Sequence, residues 1–175
     1  MIVLKAPARL PVQLINGILH KSVFLAGSIE MGKAEDWQTR VTNEVDEVAD
    51  YVLNPRRDDW DSTWSEEIAN PQFNEQVSWE LTSQDVADVI FMYFDKDSTS
   101  PISLLELGLY AASGKMIVVC PDGFYRKGNV EITCQRYSIP LFNSIEEAIP
   151  SLKQRLGYDI SDIRSKINSI FNKDR

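Results

Sequence analysis

One histidine, His20, and two cysteines, Cys120 and Cys134, are all that 175 residues contain of those types, and this scarcity removes several chemistries at once. A single imidazole leaves little from which to build a Ser/His/Asp triad or a His-rich metal site. The cysteines stand too far apart for a CxxC metal or redox pair, and a reducing, cytoplasmic setting fits such sparing use. Neither a GxGxxG nor a Walker pattern is present, so the usual dinucleotide and triphosphate readings lose support. Basic residues are outnumbered, 18 Lys and Arg against 26 Asp and Glu, giving a net charge of -8 and a pI near 4.7. That balance argues against a groove for a nucleic-acid polymer, whose affinity rests on neutralising phosphates. It leaves room for a single nucleotide, which needs only a few local donors. No apolar run approaches the roughly 18 residues of a membrane span. The first six residues lack the features of a secretory signal. If the chain is an enzyme, carboxylates must do most of the acid, base or nucleophile work.

What is present describes an ordinary globular chain, 43% hydrophobic and 25% charged, of a length that suits one domain over 1–175. The run 22–26 reads as a buried strand ending at the turn Gly27-Ser28. Residues 34–50 carry Trp37, Val41, Val45 and Val48 at helical spacing. Tyr51-Val52-Leu53 is stopped by Asn54-Pro55, and a long polar loop follows to about Pro71. A helix is predicted over 73–84. A nearly continuous apolar strand over 86–94 has the character of a central parallel strand. Pro101 opens a helix ending near Gly114. A strand over 116–120, a loop through 125–129 and a weaker strand at 139–142 come next. Ser144-Ile145-Glu146-Glu147 is a capping box for a helix stopped at Gly157. Residues 159–175 form an amphipathic segment, and 1–5 offer an edge strand. Strands alternating with helices imply an α/β, flavodoxin-like, doubly wound domain. Its mainly parallel sheet has about five strands, with helices on both faces. Ligands in such folds lie beyond the carboxyl ends of the strands.

Several residues near those ends could carry chemistry, and each has a plainer use. Glu106, expected near a helix start over the strand ends, would stay ionised in the field of the helix dipole and suit attack on an anomeric carbon. The same Ser103-x-x-Glu106 spacing is also a capping box, which by pattern alone is the commoner use. Glu80, with Gln76 one turn earlier, fits the second carboxylate of a glycoside-type pair or a solvated helix residue. Ser28 after Gly27 could offer a hydroxyl and backbone amides to a sugar or phosphate, or simply turn the chain. Arg57, beside Arg56, could meet a phosphate or lie in a solvated loop. Gly128-Asn129 is most simply a turn.

Taken together, these blocks resemble the nucleoside 2-deoxyribosyltransferase superfamily, and especially its divergent "2-deoxyribosyltransferase-like" branch. The likeness rests on FLAGSIEMG at 24–32, NPRR at 54–57, QVSWE at 76–80, Ala87-Asp88 with the strand after it, and SLLELG at 103–108 running on to Gly114-Lys115. GFYRKGNV at 123–130 is similar to that branch in particular, and the whole resemblance covers about 23–141. It implies that Glu106 is the nucleophile and Glu80 the acidic residue facing the substrate. It further implies that Gly27, Ser28 and Ile29 line the sugar or phosphate pocket, with Ser100 and Ser103 beside it, and that Asn129 reaches a neighbouring subunit's site. No metal or organic cofactor is implied. The expected partners are a small nucleoside or nucleotide and further copies of the chain, a dimer or a multiple of one. The Gly-Ser-Ile turn is also similar to the related 2-deoxynucleoside 5′-monophosphate N-hydrolases. Where better-studied transferases carry an Asp-rich stretch that meets the nucleobase, this chain has Ser100-Pro101-Ile102.

Overall fold

The computed structural model describes residues 1–16, 21–29, 36–59, 61 and 63–157. Their elements run β1 (Ile2–Lys5), α1 (Val12–Ile15), β2 (Ser22–Gly27), α2 (Trp37–Glu44), β3 (Tyr51–Asn54), α3 (Pro71–Val86) and β4 (Val89–Tyr93). α4 (Pro101–Tyr110), β5 (Met116–Val119), α5 (Lys127–Tyr137), β6 (Leu141–Phe142) and α6 (Ile145–Gly157) complete the order. The six strands form one sheet in the order β1-β3-β2-β4-β5-β6, and every pairing is parallel. From β2 to β6 this is the flavodoxin-like, doubly wound arrangement, with β1 added at the β3 edge. The expected α/β class is therefore observed, with one strand more than the five anticipated.

Strand alternation divides the core into two layers. Phe24, Ala26, Ile90, Met92, Met116 and Val118 point to one face, where Trp79, Leu107, Tyr110 and Cys134 cover them. Val23, Leu25, Val89, Phe91, Ile117 and Val119 point to the other, beneath Trp37, Val41, Ile149 and Leu152. A sheet buried on both faces needs apolar residues at successive positions, which explains the nearly unbroken runs in β2, β4 and β5. Asp88 fastens the starts of the two central strands. Its Oδ2 accepts from the Ser22 amide at 2.9 Å and the Ser22 hydroxyl at 2.6 Å.

Three local expectations are corrected. The apolar run 86–94 is not all strand: Val86 ends α3 and pairing begins at Val89. The loop expected through 125–129 closes at Lys127, where an 11-residue helix begins, and Gly128 and Asn129 are its second and third residues rather than a turn. α2 stops at Glu44, short of Asp50. The Ser144 cap is present in shifted form: the Glu147 amide donates to Ser144 Oγ, while the Glu147 carboxylate accepts from the Asn143 amide. No helix of the described residues is long and apolar enough to cross a membrane. The amphipathic segment at 159–175, His20 and the end of the Gly-Ser-Ile block from Glu30 onward lie outside the described residues.

Candidate active site

The sheet reverses its winding between β2 and β4, and the carboxyl ends of those strands open a crevice. Gly27 ends β2 with φ +136°, and a Cβ there would stand 2.1 Å from the Tyr93 carbonyl oxygen. Only glycine lets the two central strands stay paired at this point. Ser28 then ties the turn to its surroundings. Its amide donates to the Tyr93 carbonyl at 2.9 Å, its carbonyl accepts from Trp37 Nε1 at 2.9 Å, and its hydroxyl accepts from the Asp95 amide at 2.9 Å. The Ser28 and Ser100 hydroxyls share a further hydrogen bond, and Ser100 shares another with Ser98 at 2.7 Å. Three serines thus join the β2 turn to the loop after β4.

That loop delivers α4. Ser100 precedes it in the left-handed region at φ 42°, Pro101 occupies the first turn, and no side chain caps the helix. Ser103, Glu106, Leu107 and Tyr110 fall on one face at helical spacing and are all buried. The capping-box reading of Ser103 and Glu106 is overturned, because both lie inside the helix rather than at its mouth. Glu106 is its sixth residue, beyond the first turn in which the dipole acts.

Glu106 reaches the face of α3. Gln84 Nε2 donates to Glu106 Oε1 at 2.6 Å. One turn earlier stands Glu80, whose Oε1 accepts from Gln76 Nε2 at 2.8 Å, and Gln76 also donates to the Pro55 carbonyl at 2.8 Å. Glu80 and Glu106 both line one cavity of about 250 Å³, together with Gly27, Ser28, Ile29, Ser100 and Ser103. Phe24, Pro55, Ser98 and Ile102 complete much of its wall, and no Lys or Arg is among the described residues that line it.

Burial, and then the negative charge of Glu80, push the Glu106 carboxyl up to about 7, against the opposing hydrogen bond from Gln84. Burial also raises Glu80, and the Gln76 amide works the other way. The expectation that a helix dipole would keep Glu106 ionised is thus corrected. Desolvation and a like charge govern it, so the pair can hold one proton near neutrality.

The structure separates two of the predicted site residues from this cavity. Arg57 grips Asp59 through Nε at 2.8 Å and a second nitrogen at 3.0 Å. It lies 3.6 Å from Glu75 and stacks over Trp64 at 5.0 Å. Its side chain is only 5% exposed, so it is folded into its loop rather than solvated. Asn129, on α5, lines a different cavity with Leu104, Leu107, Gly108 and Arg126. Gln84 and Ser98 were not anticipated. Gln84 repeats the one-turn spacing of Gln76 and Glu80, a signal the sequence does carry.

Comparison with protein-family models matches residues 20–124, well over half of the chain, to a family described as "nucleoside 2-deoxyribosyltransferase like". The chain belongs to that family. The matched span runs from β2 through β5 and holds every residue named above as lining the carboxylate cavity. None of the curated proteins compared with the chain matches it. Membership in a nucleoside 2-deoxyribosyltransferase-like family points to a nucleoside-type small molecule as the class of compound such a cavity serves.

Proposed function

We propose that the protein cleaves or exchanges the N-glycosidic bond of a 2-deoxynucleoside or its monophosphate by double displacement at Glu106. The observation that carries this reading is the pair of carboxylates, a buried Glu106 and a half-buried Glu80, facing one cavity at the switch point of the sheet. In the first step a Glu106 oxygen bonds to C1′ as the C1′–N bond breaks. The bonding electrons leave with the base, and the protonated Glu80 carboxyl supplies the base with a proton. Burial raises both carboxyls, and the reacting form is the one in which their shared proton sits on Glu80 while the Gln84 hydrogen bond sustains Glu106 as the anion. In the second step an incoming base or a water bonds to C1′, the ester oxygen leaves, and ionised Glu80 takes up the proton of the entering group. The deoxyribosyl ester splits one difficult substitution into two easier ones, and both carboxylates return to their starting states.

The three-serine bridge and Gly27 would hold the sugar end, and Phe24 and Ile102 would offer apolar contact to the ring system. Asn129 would act from a neighbouring subunit, which makes the active form a homo-oligomer.

Incubating the protein with the four deoxynucleosides and their 5′-monophosphates, with and without a competing free base, tests the reading by chromatography of the products. A mixed-base nucleoside means transfer, and free deoxyribose or its phosphate means hydrolysis. Glu106→Gln is expected to abolish either product while leaving the fold intact. Tight nucleotide binding with no product from the parent protein would overturn catalysis, and equal rates for parent and variant would overturn the nucleophile.

A further inference from the structure

Gln84 has a place in the site that the double displacement does not by itself require. It stands on α3 one turn after Glu80 and two turns after Gln76, so that amide, carboxylate and amide follow one another along a single helix face. Its side chain is wholly buried. Its Nε2 makes the 2.6 Å hydrogen bond to Glu106 Oε1, and that is the one hydrogen bond Glu106 accepts from the described residues. Its Oε1, equally buried, has no partner. A leucine or methionine would fill this space without stranding a buried carbonyl, so packing alone does not account for a glutamine here.

We propose that Gln84 is a positioning residue for Glu106, holding one carboxylate oxygen so that the other meets the anomeric carbon, and sustaining the anion in a site that disfavours it. This rests on the reading of Glu106 as nucleophile. Glu80, facing from α3, raises the Glu106 carboxyl, and Tyr110, on α4 itself, feels the Glu106 charge while donating to Asp85. Among the described residues that line the cavity, no cation offsets these charges. Among the described residues, the Gln84 amide is therefore what stabilises the Glu106 carboxylate. A glutamine is suited to a group that must gain and lose a proton. With Nε2 forward it donates to the carboxylate. Turned over, the now unpartnered Oε1 would occupy the same place and accept from the carboxylic acid.

The test compares the parent protein with Gln84→Met, which keeps volume and removes both amide atoms, and with Gln84→Asn, which draws the amide back by one carbon. Two readouts are taken: the pH dependence of kcat and KM, and the Glu106 carboxyl titration without substrate. The latter is followed by infrared difference spectroscopy with Glu106→Gln as the blank. In Gln84→Met the Glu106 titration midpoint should move to higher pH. The acid limb of kcat should move with it, and kcat at neutral pH should fall roughly tenfold or more with KM little changed. Gln84→Asn should lie between. A side chain needed only for packing would move neither midpoint nor limb, and an active parent whose methionine variant keeps both overturns the proposal. Should Gln84→Met fail to fold, the asparagine variant decides by the same two readouts. A parent that titrates as described, shifts on substitution and yet makes no product would retain the Gln84 assignment and overturn the reaction.

Discussion

Glu106 is kept in a state that a stability-driven protein would avoid. An ordinary glutamate titrates near 4.5, and this one is pushed up to about 7. A carboxyl whose folded value is raised contributes its full stability below the unfolded value, and that contribution is lost as pH rises through the folded one. The folded protein therefore carries a penalty of roughly 3 kcal/mol above pH 7, taking about 1.4 kcal/mol per pH unit of displacement. Glu106→Gln removes the charge and keeps the shape. Urea denaturation should find the variant more stable than the parent at pH 8, with the difference shrinking toward pH 4.5. A cap residue would behave oppositely, with a loss of about 1 kcal/mol on substitution. The sequence pattern left cap and nucleophile open because Ser103-x-x-Glu106 reads the same wherever the helix begins. Pro101 was the sign that it begins earlier. What the spacing could not convey was the desolvation, which depends on α3 lying across the cavity.

At the scale of elements, the site depends on two parallel strands ending side by side. Gly27 of β2 pairs with Tyr93 of β4 and leaves no room there for a Cβ. Gly27→Ala should place a methyl against the Tyr93 carbonyl and strain a φ of +136° besides, a cost of at least about 3 kcal/mol. A thermal melt should show a large drop, or no folded protein at all, whereas Gly108→Ala, whose added Cβ would meet nothing within 4 Å, should melt near the parent. The strands on which this depends were legible because burial on both faces writes long apolar runs. So was α3, through Trp79 and its neighbours. α5 was not. Its segment contains Gly128 and mostly polar residues, and only Val130 and Cys134 turn to the core. A helix with so narrow an apolar stripe offers little periodicity, and a Gly-Asn pair within it reads as a turn. The end of α3 was hidden differently, because Val86 and Ala87 lead into the apolar run of β4 with only Asp88 between them.

At the scale of the whole molecule, one of the exposed apolar surfaces lies over the helices next to the site. Ile102, at the cavity mouth, is followed along α4 by the exposed Leu105 and Leu109, while Ile132 and Tyr137 are exposed on α5. Glu106 and Asn129 open on different cavities of the same chain. On the proposed reading, Asn129 serves a Glu106 site brought to it by a second copy. Two-fold association is the commonest way for identical chains to cover such a surface, and on the proposed reading it would bring the partner's α5 to each site. Asn129→Ala should lower activity while leaving the melting temperature of the subunit unchanged. Glu106→Gln should be inactive alone. When the two variants are unfolded together and refolded as a mixture, random pairing places an intact Glu106 opposite an intact Asn129 in about a quarter of the sites. Activity should then return well above that of Asn129→Ala refolded alone at the same total concentration, in proportion to the hybrid fraction resolved by native mass spectrometry. Sedimentation should also show an assembly larger than one chain, weakened by Leu105→Glu on α4. A protein that sediments as a monomer and is fully active, or a mixture that recovers nothing although hybrids form, would assign Asn129 a role within its own chain.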